Sequence, residues 1–173
     1  MRHRRFIVMC VSGVLAIIAS RAGAQQETFD AFLSGLNEVG PNGSPGSGFG
    51  TVILNAAHTQ ITVDENWSGL TAPATASHIH GPAMPGVNAA VLFPLSGVPA
   101  ATAGAIPEQT FAITPTQVTQ LESGLFYMNV HTAIFPGGEI RGQLEIVPEP
   151  SSFVLLGMGG TALCITLRRR RRK

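Results

Sequence analysis

Between residues 25 and 146 the sequence predicts an all-β fold, an antiparallel two-sheet β-sandwich of immunoglobulin-like or Greek-key, barrel-like form. Three observations carry this. Short runs alternate apolar and polar residues with a period of two, Gly, Pro, Ser and Asn separate the runs, and no helical period persists over any length. About eight short strands in one domain of this size fit a sandwich or barrel.

The expected strands cover 27–33, 49–55, 60–67, 74–80, 89–93, 109–113, 125–132 and 139–147. The first and second are separated by GPNGSPGSG, whose glycines, prolines and serines favour a loop. In the third, alternation would bury Ile61, Val63 and Trp67, but also Glu65. An unpaired carboxylate is costly to bury, so a bulge or an edge position is expected near Glu65. Residues 98–107 carry no charge and read as a surface loop. Thr114-Pro115 supplies an N-cap and a first-turn proline for one short helix over 116–122, ended by Gly124. Gly137-Gly138 predicts a tight hairpin between the last two strands.

The two ends obey different rules. Residues 1–5 are basic, 6–20 apolar, and Ala22-Gly23-Ala24 is a small-x-small cleavage site, so 1–24 reads as a signal peptide removed by signal peptidase. At the other end Val147-Pro148-Glu149-Pro150 precedes an apolar stretch, 153–167, and then the basic run Arg168 to Lys173. As a helix the apolar stretch would reach ~22 Å, short of a hydrocarbon core of ~30 Å. Its glycines weaken it further, which suits a transient membrane anchor rather than a stable span. This arrangement over 147–173 resembles the PEP-CTERM sorting signal, with Pro148, Glu149 and Pro150 as its motif. The resemblance implies a Gram-negative bacterium, an exosortase as processing partner, and delivery to the cell envelope, cell surface or extracellular matrix.

Removing both ends changes the charge balance. Ten of the eleven bases lie in them, leaving Arg141 as the one base of residues 25–150 against all ten acids, a formal charge of −9. Nucleic-acid and anionic-membrane binding, which require clustered Lys and Arg, are thereby excluded for the processed domain. Both cysteines, Cys10 and Cys164, also lie in the ends, so the domain has no disulfide and no thiolate metal site.

Residues capable of chemistry collect in HIHGPA, YMNVHT and GGEIRGQL. Period two places His78 and His80 on one face of their strand, Tyr127, Asn129 and His131 on one face of the next, and Glu139 and Arg141 on one face of the last. If these strands are neighbours, their polar faces merge. His78, His80 and His131 then form an open three-nitrogen site for Zn²⁺ or Cu²⁺, with Glu139 as fourth or outer ligand. The competing reading has these histidines hydrogen-bonding local backbone without metal. Arg141, lone among acids, is expected to form a structural ion pair with Glu139. His58 reads as solvated, and Trp67, the sole tryptophan, as core.

The same three segments, preceded by FDAFLSGLNEV, resemble the CHRD domain, the module repeated in chordin and found singly in bacterial secreted proteins. Gly40 departs from the proline that often follows Glu38-Val39 there. The resemblance implies a β-rich extracellular domain over 25–146 without a defined catalytic activity. The role of chordin in antagonising growth factors does not carry over to a single bacterial domain. The function expected is therefore an exported binding or structural module, meeting extracellular polysaccharide or protein. The alternative is a metal-dependent enzyme using the histidine patch, similar at the level of fold to copper/zinc superoxide dismutase. Against it, that family's cysteine pair and additional histidine-and-aspartate loop are missing, and no G-x-S-x-G or paired carboxylates mark a hydrolase.

Overall fold

The computed structural model describes residues 25–148. The signal peptide, Glu149, Pro150 and the apolar and basic stretches of the sorting segment lie outside these residues. Nine antiparallel strands and one helix follow in the order β1 (Glu27–Ser34), β2 (Ser47–Leu54), β3 (Gln60–Ser68), β4 (Ala74–His80), β5 (Val91–Pro94), β6 (Gly104–Ala112), α1 (Pro115–Glu122), β7 (Tyr127–Thr132), β8 (Ile140–Gln143) and β9 (Glu145–Ile146). A 3-10 turn, Gly35–Asn37, follows β1. Among the described residues no helix is long and apolar enough to cross a membrane.

The strands form one continuous sheet in the order β5-β4-β7-β8-β1-β2-β3-β6, with β9 added beside β1. It curls until its outer strands approach one another, giving a nearly closed, barrel-like shape. Phe93 of β5 meets Phe111 of β6 with ring centroids 5.4 Å apart. Beside them, Gln109 accepts from the Ser96 backbone at 2.9 Å and donates back to the Ser96 carbonyl at 2.9 Å. Closure of this kind hides the sheet edges that would otherwise recruit other strands.

The inward face is the alternating apolar set. Phe29, Ala31, Val52, Leu54, Ile61, Ile79, Met128, Val130, Ile140 and Leu144 are all fully buried. Helix α1 plugs this interior with Val118 and Leu121. It begins as its sequence dictates. Thr114 and Gln117 form a reciprocal capping box with proline in the first turn, and Gly124 takes the left-handed conformation (φ 69°) at its end.

Three expectations need correction. Glu65 does lie beside a register shift, but it faces inward and is only 1 % exposed. Strand β6 starts at Gly104, inside the segment expected as loop, because residues 104–106 pair with Trp67, Asn66 and Glu65. Pro107 and Glu108 together stand opposite Asp64, a bulge that interrupts the alternation and hid the first half of the strand. The last expected strand is divided at Leu144 into β8 and β9, although the Leu144 amide still bonds the Phe126 carbonyl at 2.9 Å in the register of the β7–β8 pairs. β8 pairs with both β7 and β1, and β9 carries the same β1 register on to Phe29 and Asp30.

Candidate metal site on the outer face of β4, β7 and β8

Strands β4, β7 and β8 are neighbours, so the polar faces do merge. The register sets His80 opposite Tyr127, His78 opposite Asn129, and Asn129 opposite Arg141. The His78 and His131 rings lie 4.8 Å apart between centroids, and those of His78 and His80 5.4 Å. One ring nitrogen from each of His78, His80 and His131 falls within 4.8 Å of the others. Ligands of a tetrahedral ion at ~2.1 Å stand ~3.4 Å apart, so small side-chain rotations would close the set.

The second ring nitrogens decide what the first can do. His80 Nδ1 lies 3.0 Å from the Ala89 carbonyl, and His131 Nδ1 lies 3.0 Å from the Pro136 carbonyl. A carbonyl only accepts, so both Nδ1 atoms carry the proton and both Nε2 atoms present a lone pair. His131 Nε2 takes a hydrogen bond from His78 Nδ1 at 3.0 Å. His80 Nε2 is buried and has no hydrogen-bond partner. An orphaned imidazole lone pair beside two further histidines is an arrangement that could accept a metal ion.

Burial keeps the three imidazoles neutral. Burial pushes the His78 imidazole down to about 4, helped by the neighbouring His131 and His80. His80 and His131 are also held below the ordinary histidine value by burial, which outweighs the bonds to Ala89 and Pro136.

The other expected members of the patch do different work. Glu139 precedes β8 in a bend, so strand alternation does not govern it, and its side chain turns away from the histidines. Its carboxylate accepts from Ser44 Oγ at 2.6 Å, the Thr71 amide at 2.6 Å and Thr132 Oγ1 at 2.7 Å. Burial alone would raise its pKa, but these donors outweigh burial and hold it below the usual carboxylate value. Glu139 thus ties the loops before β2 and β4 to β7, and it is not among the grouped ligand atoms.

The expected Glu139–Arg141 ion pair does not form. Arg141 is 1 % exposed; its guanidinium lies 3.4 Å above the Tyr127 ring and donates to the Val87 carbonyl at 2.9 Å and to Asn88 Oδ1 at 3.4 Å. Its acidic neighbour is Glu38, which accepts from Asn129 Nδ2 at 2.5 Å. Burial pushes Glu38 up to about 7, against the pull of Arg141.

Two roles escaped the sequence. Tyr127 stacks on His80 with rings 5° from parallel and centroids 4.9 Å apart, and its hydroxyl accepts from the Ala89 amide at 3.1 Å. Period two had placed Tyr127 on this face, but its link to the segment after β4 depends on how that loop folds back. Glu38 lies too far along the chain for spacing to connect it with Asn129. His58, expected in solvent, sits 3.7 Å from Glu27 and 3.5 Å from Glu122 in the β2–β3 turn. Trp67 is in the core as expected.

No curated protein and no solved structure matches the chain. A PEP-CTERM protein-sorting motif matches residues 147–172, which implies processing by an exosortase and export to the cell envelope or surface of a Gram-negative bacterium. The CHRD domain family matches residues 29–144, which hold β2 to β8, most of β1 and the histidine face. The chain therefore belongs to the CHRD domain family.

Proposed function

We propose that this protein is an extracellular binding module whose barrel holds a single Zn²⁺ or Cu²⁺ ion on His78, His80 and His131. Signal peptidase would release it at residue 24, and exosortase would act at the Pro148-Glu149-Pro150 motif. The observation that carries the metal reading is the orphaned His80 Nε2, on a ring whose centroid lies within 6 Å of those of two further histidines. The ligand set is neutral and free of thiolate, which fits the borderline ions that accept imidazole. Ca²⁺ and Mg²⁺, which require oxygen ligands, fit it poorly. A fourth position remains for water or for a donor group from extracellular polysaccharide or protein, and the module acts by holding that partner rather than by turnover.

Isothermal titration of the purified domain with Zn²⁺ and Cu²⁺ tests this. One ion should bind per chain, His80→Ala should abolish the heat, and the ion should raise the thermal midpoint because it binds only the folded state. Absence of heat with both ions would remove the metal. A superoxide or hydrolase screen of the metal-loaded protein separates the module from a metal-dependent enzyme, since turnover would favour the enzyme.

A further inference from the structure

A groove of about 880 Å³ runs along the outer side of β1. Its walls come from β1, the turn after it, the Pro85-Gly86 loop and the chain leaving β9. Although residues 25–150 are strongly acidic, the groove gathers exposed apolar side chains: Phe32 (73 %), Leu36 (75 %), Val39, Ile146 and Val147 line it, and Met84 stands next to its Pro85 wall. Apolar patches of this kind on a small domain mark a surface that meets something.

The position of the groove indicates what it meets. Val147 and Pro148 are part of its wall and also the first residues of the sorting segment. Only residues 149–152 separate them from the apolar stretch 153–167, and four extended residues span about 13 Å at most. A membrane that receives this stretch therefore lies within that reach of the groove. The stretch is itself short for a bilayer, at ~22 Å against ~30 Å. A weak single anchor becomes stable when a second contact joins it.

We propose that, while the sorting segment is uncut, the apolar rim of this groove rests in the headgroup layer of a zwitterionic bilayer. The inference builds on the reading of 153–167 as a transient membrane anchor. Asp30 and Glu145 also line the groove and disfavour anionic headgroups, while the guanidinium of Arg141 is committed to Val87, Asn88 and Tyr127. Cutting the sorting segment removes the tether, and the rim alone holds too little apolar surface to keep the barrel on the lipid. Release from the membrane then needs no further conformational step.

Depth-dependent fluorescence tests the contact. Trp67, the sole tryptophan, is 3 % exposed inside the barrel and supplies a constant background. Leu36→Trp places a reporter on the rim, and Thr110→Trp places one on the exposed outer side of β6, across the barrel. Both variants, with the sorting segment intact, are incorporated into phosphatidylcholine vesicles carrying brominated acyl chains. Leu36→Trp should shift to the blue and lose emission to the bromines, while Thr110→Trp should do neither. Vesicle-bound protein whose Leu36→Trp emission is unquenched overturns the proposal and leaves the anchor reading standing. A blue shift without quenching means that protein covers the groove, either a second copy or the chain itself, and also overturns it. Failure of the chain to float with vesicles removes the anchor reading and this proposal with it.

Discussion

Glu65 is the least expected residue in the barrel, and replacing it should stabilise the fold at alkaline pH. Its carboxyl lies on the inward face of β3, where Oε2 accepts from Ser77 Oγ at 2.5 Å and Oε1 is buried without a partner. Burial raises the group from 4.5 to about 7, with the Ser77 bond opposing. The unfolded chain releases this proton near 4.5 and the folded chain near 7, so the native state binds the extra proton between those values. Its stability therefore falls as pH rises through that window and levels off above it. At 1.36 kcal/mol per pK unit, the loss is on the order of 3 kcal/mol. Glu65→Gln keeps the shape and an acceptor for Ser77 but cannot ionise. Near pH 5 the variant should match the parent to within about 1 kcal/mol, reflecting one imperfect hydrogen bond. At pH 8 it should be the more stable by about 2–3 kcal/mol. Urea unfolding followed by Trp67 fluorescence measures both. Because Glu38 and the histidines titrate alike in parent and variant, the difference between the two curves isolates Glu65. Parallel curves from pH 5 to pH 8 would show that the carboxylate is already ionised in the core, and the reasoning would fail.

Three further outcomes follow from the same contacts. Arg141→Lys should lower stability by roughly 1–3 kcal/mol in thermal melts, since an ammonium cannot both stack on Tyr127 and reach Val87 and Asn88; an unchanged midpoint would contradict a structural role. Glu139→Gln should cost about 2 kcal/mol at pH 7 through the weakened bonds from Ser44, Thr71 and Thr132. Because the folded pKa of Glu139 is depressed, that cost should fade as pH falls from the ordinary carboxylate value through the lower folded one, and a deficit constant with pH would refute it. Thr114→Ala removes the N-cap of α1 and should lower stability by about 1 kcal/mol, read as a shift in the urea midpoint.

The sequence disclosed whatever depends on local periodicity. β4 was read to the residue, the N-cap and first-turn proline of α1 were legible from Thr114-Pro115, and alternation placed His78 with His80 on one face and His131 on one face of its own strand, the two faces joining only because β4 and β7 are neighbours. Alternation failed where the chain leaves ideal strand geometry. Glu139 sits in a bend, so counting from Arg141 put it on the wrong side. The bulge opposite Asp64 disguised half of β6. Burial of Glu65 was judged too costly, yet a carboxylic acid that keeps its proton and bonds Ser77 is far cheaper to bury than a carboxylate. The choice between two stacked sheets and one curled sheet rested on the meeting of β5 with β6, a long-range contact that no periodicity encodes.

The histidine face also shows why Tyr127, which offers no nitrogen ligand, should still govern metal affinity. The His80 Nδ1 proton is fixed by the Ala89 carbonyl, and the Ala89 amide is in turn held by the Tyr127 hydroxyl. Tyr127→Phe keeps the ring stacked on His80 and beneath Arg141 but releases Ala89, so His80 loses the support that aims Nε2 at its neighbours. Direct outer partners of metal-bound histidines are worth 10–100-fold in affinity, and one placed a step further out should be worth about tenfold. Titration with Zn²⁺ should show that loss in the variant. Thermal melts without metal report any general loosening of the barrel separately. A weaker affinity with a nearly unchanged metal-free midpoint identifies Tyr127 as a positioning residue. An unchanged affinity would mean that β4 alone orients His80, and that the contact with Ala89 serves only to pack the loop.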